Sequence, residues 1–352
     1  MGPITEDRQE DLAEAAIWDD IAGLRVSVMG LGLSGLHAAN ALATRGADVI
    51  AYDDQPAENL EDNLQRLDER VRTRFGGSKV RPGDVVVLSP GITPHSETYK
   101  QARAAARVVI GEVELFCRLD RANHHGQGHP IVAIGGTDGK TTTASMIAHL
   151  LQEAGRDVCL AGNIGNPLCG ELANLRPESV VVAEVSAFQL WSCNTFRPRV
   201  AVLTNIAADH VDYFNNDFEA YARAKLKMAS TMSSGDTLIS NADDARCRAL
   251  LEEIAAQNGS ASVPFSTRKS QTPGWCADGE TMWWVHDDKN ATELLPIEAL
   301  GVDGQRPPRG EHNVANALAA SAAVLSMGAP LSAIRTGLRS FEAPRHRNES
   351  VG

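Results

Sequence analysis

The stretch Ile131-Val-Ala-Ile-Gly-Gly-Thr-Asp-Gly-Lys140-Thr-Thr-Thr143 decides the fold. It opens with an apolar run and passes through a glycine-rich loop; over Thr142–Ala154, Met146, Ile147, Leu150 and Leu151 then fall on one helical face. The pattern is strand, loop, helix. Backbone amides of such a loop cradle phosphates, a lysine offsets charge on β- and γ-oxygens, and the following hydroxyl ligates Mg2+. Gly136, Thr137, Asp138, Gly139, Lys140, Thr141 and Thr142 are therefore candidate phosphate contacts, with Thr141 also a candidate metal ligand. The common phosphate-loop spacing would put glycine at 134, where Ile134 stands beside Gly135 and Gly136. A glycine-rich helix start with an exposed lysine is the plainer alternative. It is costly, because three threonines are poor residues with which to open a helix.

Downstream, the runs Val158–Ala161, Val180–Ala183, Val200–Leu203 and Thr237–Ser240 alternate with helical stretches, the pattern of a parallel sheet wrapped by helices. The fold class is α/β. Polar residues follow these strands: Asn163, then Glu184, then Asp209-His-Val-Asp212. Carboxyl ends of parallel strands converge on a ligand crevice, so Glu184 and His210 have the position and chemistry of Mg2+ ligands. Taken singly, each is as well explained as a cap or a structural hydrogen-bonder. Lys225 alone reads as a solvated lysine. Residues 255–310 are more polar and carry Met282-Trp-Trp-Val285, which suggests a small antiparallel patch or long excursion. A helix is expected from about Asn313, burying Val314, Ala317, Leu318 and Leu325.

Upstream the same alternation gives strands Val26–Met29, Val49–Tyr52, Val85–Leu88 and Val108–Ile110. Gly30-Leu-Gly-Leu-Ser-Gly35 follows the first, and Asp53 and Asp54 end the second. Glycines let a backbone approach a diphosphate at a helix N-terminus, and the carboxylates can hold hydroxyls. Gly32, Leu33, Ser34, Gly35, Asp53 and Asp54 are candidate nucleotide contacts. A tight turn without ligand is the alternative. Ser89, Pro90 and Gly91 form a further loop at the same sheet edge. Between the two halves, Arg121–Pro130 is rich in glycine and histidine and reads as a linker, with a boundary near 118–128.

The 352 residues suffice for two or three domains, and no apolar window is long enough to span a membrane. Lys plus Arg number 33 against 45 Asp plus Glu, and the net charge of −12 argues against wrapping nucleic acid while leaving room for a local cationic pocket. The six cysteines contain no CxxC pair, which points to a reducing cytoplasm, and the acidic N-terminus lacks the character of an export signal.

Taken together, these motifs resemble the Mur ligases, the ATP-dependent peptide-bond-forming enzymes of peptidoglycan precursor assembly. The resemblance runs through Gly30–Gly35, Ser89–Ile92, Gly136–Thr143, Gly162–Gly165, Glu184–Leu190, Asp209–Tyr213, Ala224–Lys227, Gly310–Asn316 and His346-Arg347 in the family's order. GLGLSGL, EVSAFQL and DHVDYF are most similar to the branch that adds D-glutamate to UDP-N-acetylmuramoyl-L-alanine. This implies an N-terminal Rossmann-like UDP-binding domain over 1–118, with 1–22 an acidic tail, and a central ATPase domain over 119–343.

The resemblance also assigns roles. Lys140 would contact β/γ-phosphates, Thr141 and Glu184 would ligate one Mg2+, and His210 with a carbamylated Lys225 would hold a second. Asn313, Asn316 and Arg347 would lie near adenine and ribose, Asn163 and His210 near the muramoyl substrate, and the first-domain loops around UDP. The implied partners are UDP-N-acetylmuramoyl-L-alanine, ATP and glutamate, with the protein a cytoplasmic monomer.

Three departures accompany the resemblance. Asp138 stands where the family has Asn, EVSAF replaces ELSSF, and only a stub, 344–352, stands where a third Rossmann-like domain is expected. The chain is thus expected to be a fragment or short form that binds UDP-sugar and ATP but ligates poorly. The competing readings are a nicotinamide oxidoreductase, which leaves Lys140 and Glu184 unexplained, a folylpolyglutamate-type ligase, which lacks the first 118 residues, and a non-catalytic UDP-muramoyl binder.

Overall fold

A computed structural model describes residues 17–76, 85–124, 126–209, 211–304, 308 and 310–344. The first sheet is built from β1 (Arg25–Met29), β2 (Asp48–Asp53), β3 (Arg72–Phe75), β4 (Val85–Leu88) and β5 (Val108–Gly111) in the order β3-β2-β1-β4-β5. All its pairings are parallel. The order reverses at β1, so the loops after β1 and β4 face one crevice, the place where such sheets bind ligands. Helix α1 (Leu33–Ala43) crosses from β1 to β2, followed by the short α2 (Glu61–Gln65) and, before β5, α3 (Glu97–Ala105).

Helix α4 (Glu112–Asn123) joins this sheet to the next. Its first nine residues are all buried, including the charged Glu112, Glu114, Arg118 and Asp120. Glu114 and Arg118 tolerate burial because they are paired: Arg118 Nε donates to Glu114 Oε1 at 2.8 Å, and Glu114 Oε2 accepts from the Asn194 and Thr195 amides at 2.9 and 2.8 Å, whereas burial pushes the Glu112 carboxyl, which accepts the Cys169 amide, up to about 7. Phe116, fully buried beside them, belongs to an apolar cluster that runs unbroken from Val26 of the first sheet and Leu42 of α1 to Ala201 and Leu203 of the second sheet. Burying such a ring contributes about 3 kcal/mol. The helix ends at Asn123, so residues 121–123, read as linker from composition, are helical.

The second sheet has nine strands in the order β14-β13-β12-β11-β10-β9-β6-β8-β7. They are β6 (Ile131–Gly135), β7 (Val158–Gly162), β8 (Val180–Glu184), β9 (Val200–Leu203), β10 (Thr237–Asn241), β11 (Ala261–Ser266), β12 (Gly274–Ala277), β13 (Thr281–Val285) and β14 (Ala291–Pro296). Pairing is parallel up to β12 and antiparallel through β13 and β14. The antiparallel patch expected in 255–310 therefore extends the main sheet.

Helices α5 (Lys140–Glu153), α6 (Leu168–Glu171), α7 (Ala187–Leu190), α8 (Phe218–Ser230), α9 (Ala245–Asn258), α10 (Glu311–Ser326) and α11 (Leu331–Ser340) complete the described chain. α5, α10 and α11 share an apolar core with one face of the second sheet, through Ile147, Leu150, Leu318, Ile334 and Leu338. None of these helices is long and apolar enough to cross a membrane.

Candidate active site

The second sheet reverses direction at β6, and the Gly136–Gly139 loop follows β6 directly. Two glycines are required there. Gly136 has φ +139°, and a Cβ on it would lie 2.0 Å from Thr204 Oγ1; Gly139 has φ +80°, and a Cβ would lie 2.6 Å from Asn316 Oδ1. The loop is held from the end of β9. Asn205 Oδ1 accepts the amides of Thr137 and Asp138, both at 2.9 Å, and Thr204 Oγ1 donates to the Asp138 carbonyl at 2.6 Å. α5 then begins at Lys140 with no side-chain cap, so its first-turn amides remain available as anion donors.

Two lysines flank this loop. Lys140 Nζ donates to the Thr137 carbonyl at 2.7 Å, and Lys225 Nζ, from α8, donates to the Gly136 carbonyl at 2.5 Å while lying 4.6 Å from the Tyr221 ring centroid. Lys225 is buried, not the solvated lysine that its helical context suggests. Burial, then the neighbouring Lys140, bring its ammonium down to about 7, against the opposing pull of Asp209 and Asp138.

Glu184 ends β8 and is 2% exposed. Its Oε1 accepts from Asn163 Nδ2 at 3.0 Å, whereas Oε2 is buried without a hydrogen-bond partner. A buried carboxylate oxygen with an unused lone pair fits a hard divalent cation such as Mg2+, and Thr141 in the first turn of α5 carries an oxygen donor of the kind such an ion takes. His210 and Arg347, two further expected contacts, lie outside the described residues.

Asn313 and Asn316 reach the loop from α10. Thr143 Oγ1 donates to Asn316 Oδ1 at 3.1 Å, and Asn316 Nδ2 donates to Asn313 Oδ1 at 3.3 Å. Together with Asp138, Gly139, Thr142, Thr204, Asn205, Asn241, Phe265 and His312 they line a cavity of about 400 Å3. Thr204, Asn205, Asn241 and His312 were not among the residues expected from sequence. For Thr204 and Asn205 the available signal was a polar pair closing an apolar strand, and His312 lies within the Gly310–Asn316 stretch.

A second cavity, about 580 Å3, opens where the two sheets meet. Gly32, Leu33, Ser34, Asp53, Asp54, Ser89, Pro90 and Gly91 line it from the first sheet, and Asn163 and Gln189 from the second. Gly35 does not line it. A Cβ there would lie 1.8 Å from the Gly30 carbonyl oxygen, so this glycine permits the loop to close on itself. Asp53 also shapes the loop, since its two carboxylate oxygens accept from Leu31 N–H at 2.7 Å and Gln55 N–H at 2.9 Å. Tyr213 ties the sheets together: its hydroxyl accepts from Trp191 Nε1 at 3.0 Å and lies 2.9 and 2.7 Å from the Pro90 and Ile92 carbonyls. A third cavity, about 880 Å3 between β12–β14 and the start of α10, is lined by none of the expected site residues.

Two family models match, the Mur ligase MurD-like N-terminal domain over residues 24–111 and the Mur ligase middle domain over 134–324. The chain is 37% identical over 348 residues to the UDP-N-acetylmuramoylalanine--D-glutamate ligase of Salinibacter ruber, covering 95% of this chain and 71% of that protein. It is 38% identical over 341 residues to the ligase of the same name from Rhodopseudomonas palustris, covering 94% and 69%. The chain thus spans about 70% of the length of these relatives.

Among solved structures, the fold is similar to UDP-N-acetylmuramate:L-alanyl-gamma-D-glutamyl-meso-diaminopimelate ligase from Neisseria meningitides. The TM-score is 0.57 at 20% identity, over 92% of this chain and 100% of that one. UDP-N-acetylmuramate-alanine ligase from Thermotoga maritima gives 0.52 at 19% identity, over 91% and 69%. Two matched domains in sequence order, joined to a phosphate loop backed by a buried carboxylate and lysine, establish that the chain belongs to the Mur ligase family.

Proposed function

We propose that the chain carries the nucleotide and UDP-sugar sites of an ATP-dependent ligase that adds D-glutamate to UDP-N-acetylmuramoyl-L-alanine in peptidoglycan precursor synthesis. The curated relatives bearing that name support the reading. The observation that carries it is the Asn163–Glu184 bond: Asn163 lines the cavity between the sheets, and its amide holds the buried carboxylate at the edge where the phosphate loop begins. A ligase that activates one end of a UDP-linked substrate needs such a junction between substrate and ATP.

In this reading the amides of Gly139–Thr142 and the Lys140 ammonium receive the β- and γ-phosphates of ATP. Asn313, Asn316 and Arg347 receive adenine and ribose. Gly32–Ser34, Asp53, Asp54 and Ser89–Gly91 surround UDP, and Asn163 and His210 approach the muramoyl arm. Thr141 and Glu184 would hold one Mg2+, with His210 and carbamylated Lys225 holding a second; the metal supplies positive charge that offsets the phosphates.

The alanine carboxylate attacks the γ-phosphorus and ADP leaves, giving an acyl phosphate. The glutamate amine then attacks the acyl carbon, loses a proton, and expels inorganic phosphate. Lys140 stabilises charge in the first step by being fixed in place beforehand. Six cysteines that all remain free thiols suit a cytoplasmic setting. The test is phosphate release that requires both ATP and UDP-N-acetylmuramoyl-L-alanine. Release that persists unchanged in Lys140→Ala overturns the assignment.

A further inference from the structure

The histidine-rich stretch that joins the two sheets has no part in the ligase reading, yet it folds into an organised cluster. Asp120 and His124 lie four residues apart at the end of α4, hence on one helical face, and His129 returns to meet them. The return needs Gly126 and Gly128 at φ +86° and +68°; a Cβ on Gly128 would lie 2.9 Å from Asp120 Oδ2. His129 Nδ1 lies 2.6 Å from Asp120 Oδ1, and His124 Nε2 lies 3.7 Å from the same oxygen. One donor atom from each of the three residues falls within 4.8 Å of the other two.

We propose that Asp120, His124 and His129 form a binding site for a divalent transition metal of the zinc type, with solvent completing four-coordination. Ligands about zinc stand about 3.3 Å apart in tetrahedral geometry, and the separations of 2.6 and 3.7 Å straddle that value. The surroundings orient two of the three ligands as metal sites require. His129 Nε2 lies 2.8 Å from the Arg176 carbonyl, which fixes its proton there and turns Nδ1 toward the cluster. Asp120 Oδ2 accepts the His129 amide at 2.7 Å, which fixes the carboxylate.

A buried Asp–His hydrogen bond would account for Asp120 and His129 alone. It does not account for His124, whose ring stands edge-on to His129 at 4.1 Å and presents Nε2 to the shared oxygen. His124 is one-third exposed, which gives the ion an entry path. On binding, the proton shared by His129 and Asp120 leaves to solvent, and two metal–nitrogen bonds and one metal–oxygen bond form. The ion would pin the end of α4 to the start of β6 and, through Arg176, to the loop before β8.

The full chain, stripped with chelator and held in excess Mg2+ to fill the sites at Glu184, is titrated with Co2+. One equivalent should bind, with the strong visible ligand-field absorption of a four-coordinate ion, and Zn2+ should abolish that absorption. His124→Gln, at a partly exposed position, should weaken Co2+ at least tenfold, while its metal-free melting temperature stays that of the parent. Sub-stoichiometric binding, a six-coordinate spectrum, or equal affinity in His124→Gln overturns the proposal.

Discussion

The loops after β1 and β6 share one plan, a buried strand, a glycine turn and an uncapped helix, and both are held from neighbouring strand ends, yet they differ in the charge beside them. In the first, Gly35 packs against the Gly30 carbonyl, Asp53 from the end of β2 accepts the Leu31 amide, and Ser89 after β4 donates its Oγ to Gly30 O at 3.0 Å. Among the described residues, no lysine or arginine lines its cavity. The second is held by Asn205 and Thr204 after β9, and two lysines bond to its carbonyls. In the proposed reading, a loop that only binds a diphosphate can rely on amides, whereas a loop across which phosphoryl charge moves needs a fixed cation, here Lys140, whose position does not relax during the reaction.

The sharpest test of this contrast is one substitution in each loop. Lys140→Ala is expected to lower the rate of ATP-dependent phosphate release roughly 10³-fold or more, the loss that follows removal of one preorganised charge contact. Ser34→Ala, removing a neutral hydroxyl beside the first cavity, is expected to change KM for the UDP substrate by at most about tenfold, the worth of one neutral hydrogen bond. Equal losses in the two variants would erase the distinction.

Next in size is the self-closing packing of the first loop. In Gly35→Ala the new methyl meets a backbone carbonyl that no rotamer change can move. A destabilisation of about 1–3 kcal/mol is expected, seen as a lower melting temperature together with weakened UDP-substrate binding. An unchanged melting temperature would show that this loop is looser than its packing implies.

Much of this was legible in sequence because strand, glycine loop and helix signals are local. The features that were not legible depend on distant partners or on atypical strands. Asn205 acts on Thr137 and Asp138 across 67 or more residues, and Tyr213 reaches Pro90 across 123. Nothing in their own neighbourhoods announces either role. β3 (Arg-Thr-Arg-Phe) lies at a sheet edge and lacks an apolar run, while β11 carries Pro264 opposite Ser240, a residue that argues against a strand. Lys225 misled because helical periodicity predicts a face and not what packs over it.

If Lys225 is carbamylated as proposed, it makes the second loop depend on pH. Its neutral amine, the form to which CO2 would add, predominates above about 7 because burial and Lys140 disfavour the ammonium. Activation by bicarbonate should therefore rise as pH increases through about 7 and fade below it. Stability runs in the same direction. The pKa is about 7 in the folded chain against 10.5 for the unperturbed group, so between these values the unfolded chain binds more protons and the folded state gains with rising pH. In CO2-free buffer, Lys225→Met should lose that part of the rise in melting temperature above pH 7. A parallel profile in parent and variant would remove Lys225 from the account.

The smallest expected effect concerns Asp138. Its amide is bound by Asn205 and its carbonyl by Thr204, so the backbone of the loop is held whichever side chain stands there. The carboxylate itself is exposed, and the rest of the loop is arranged to attract anions. Asp138→Asn keeps the shape and removes one negative charge from the phosphate side. Exposed charge interactions are worth about 0.2–1 kcal/mol and are screened by salt, so KM for ATP should fall by about two- to fivefold at low ionic strength, with the difference fading at high salt. A salt-independent change, or a weaker ATP affinity, would mean that the Asp138 side chain shapes the loop as Asp53 shapes the other, and the two loops would be less different than the charges beside them indicate.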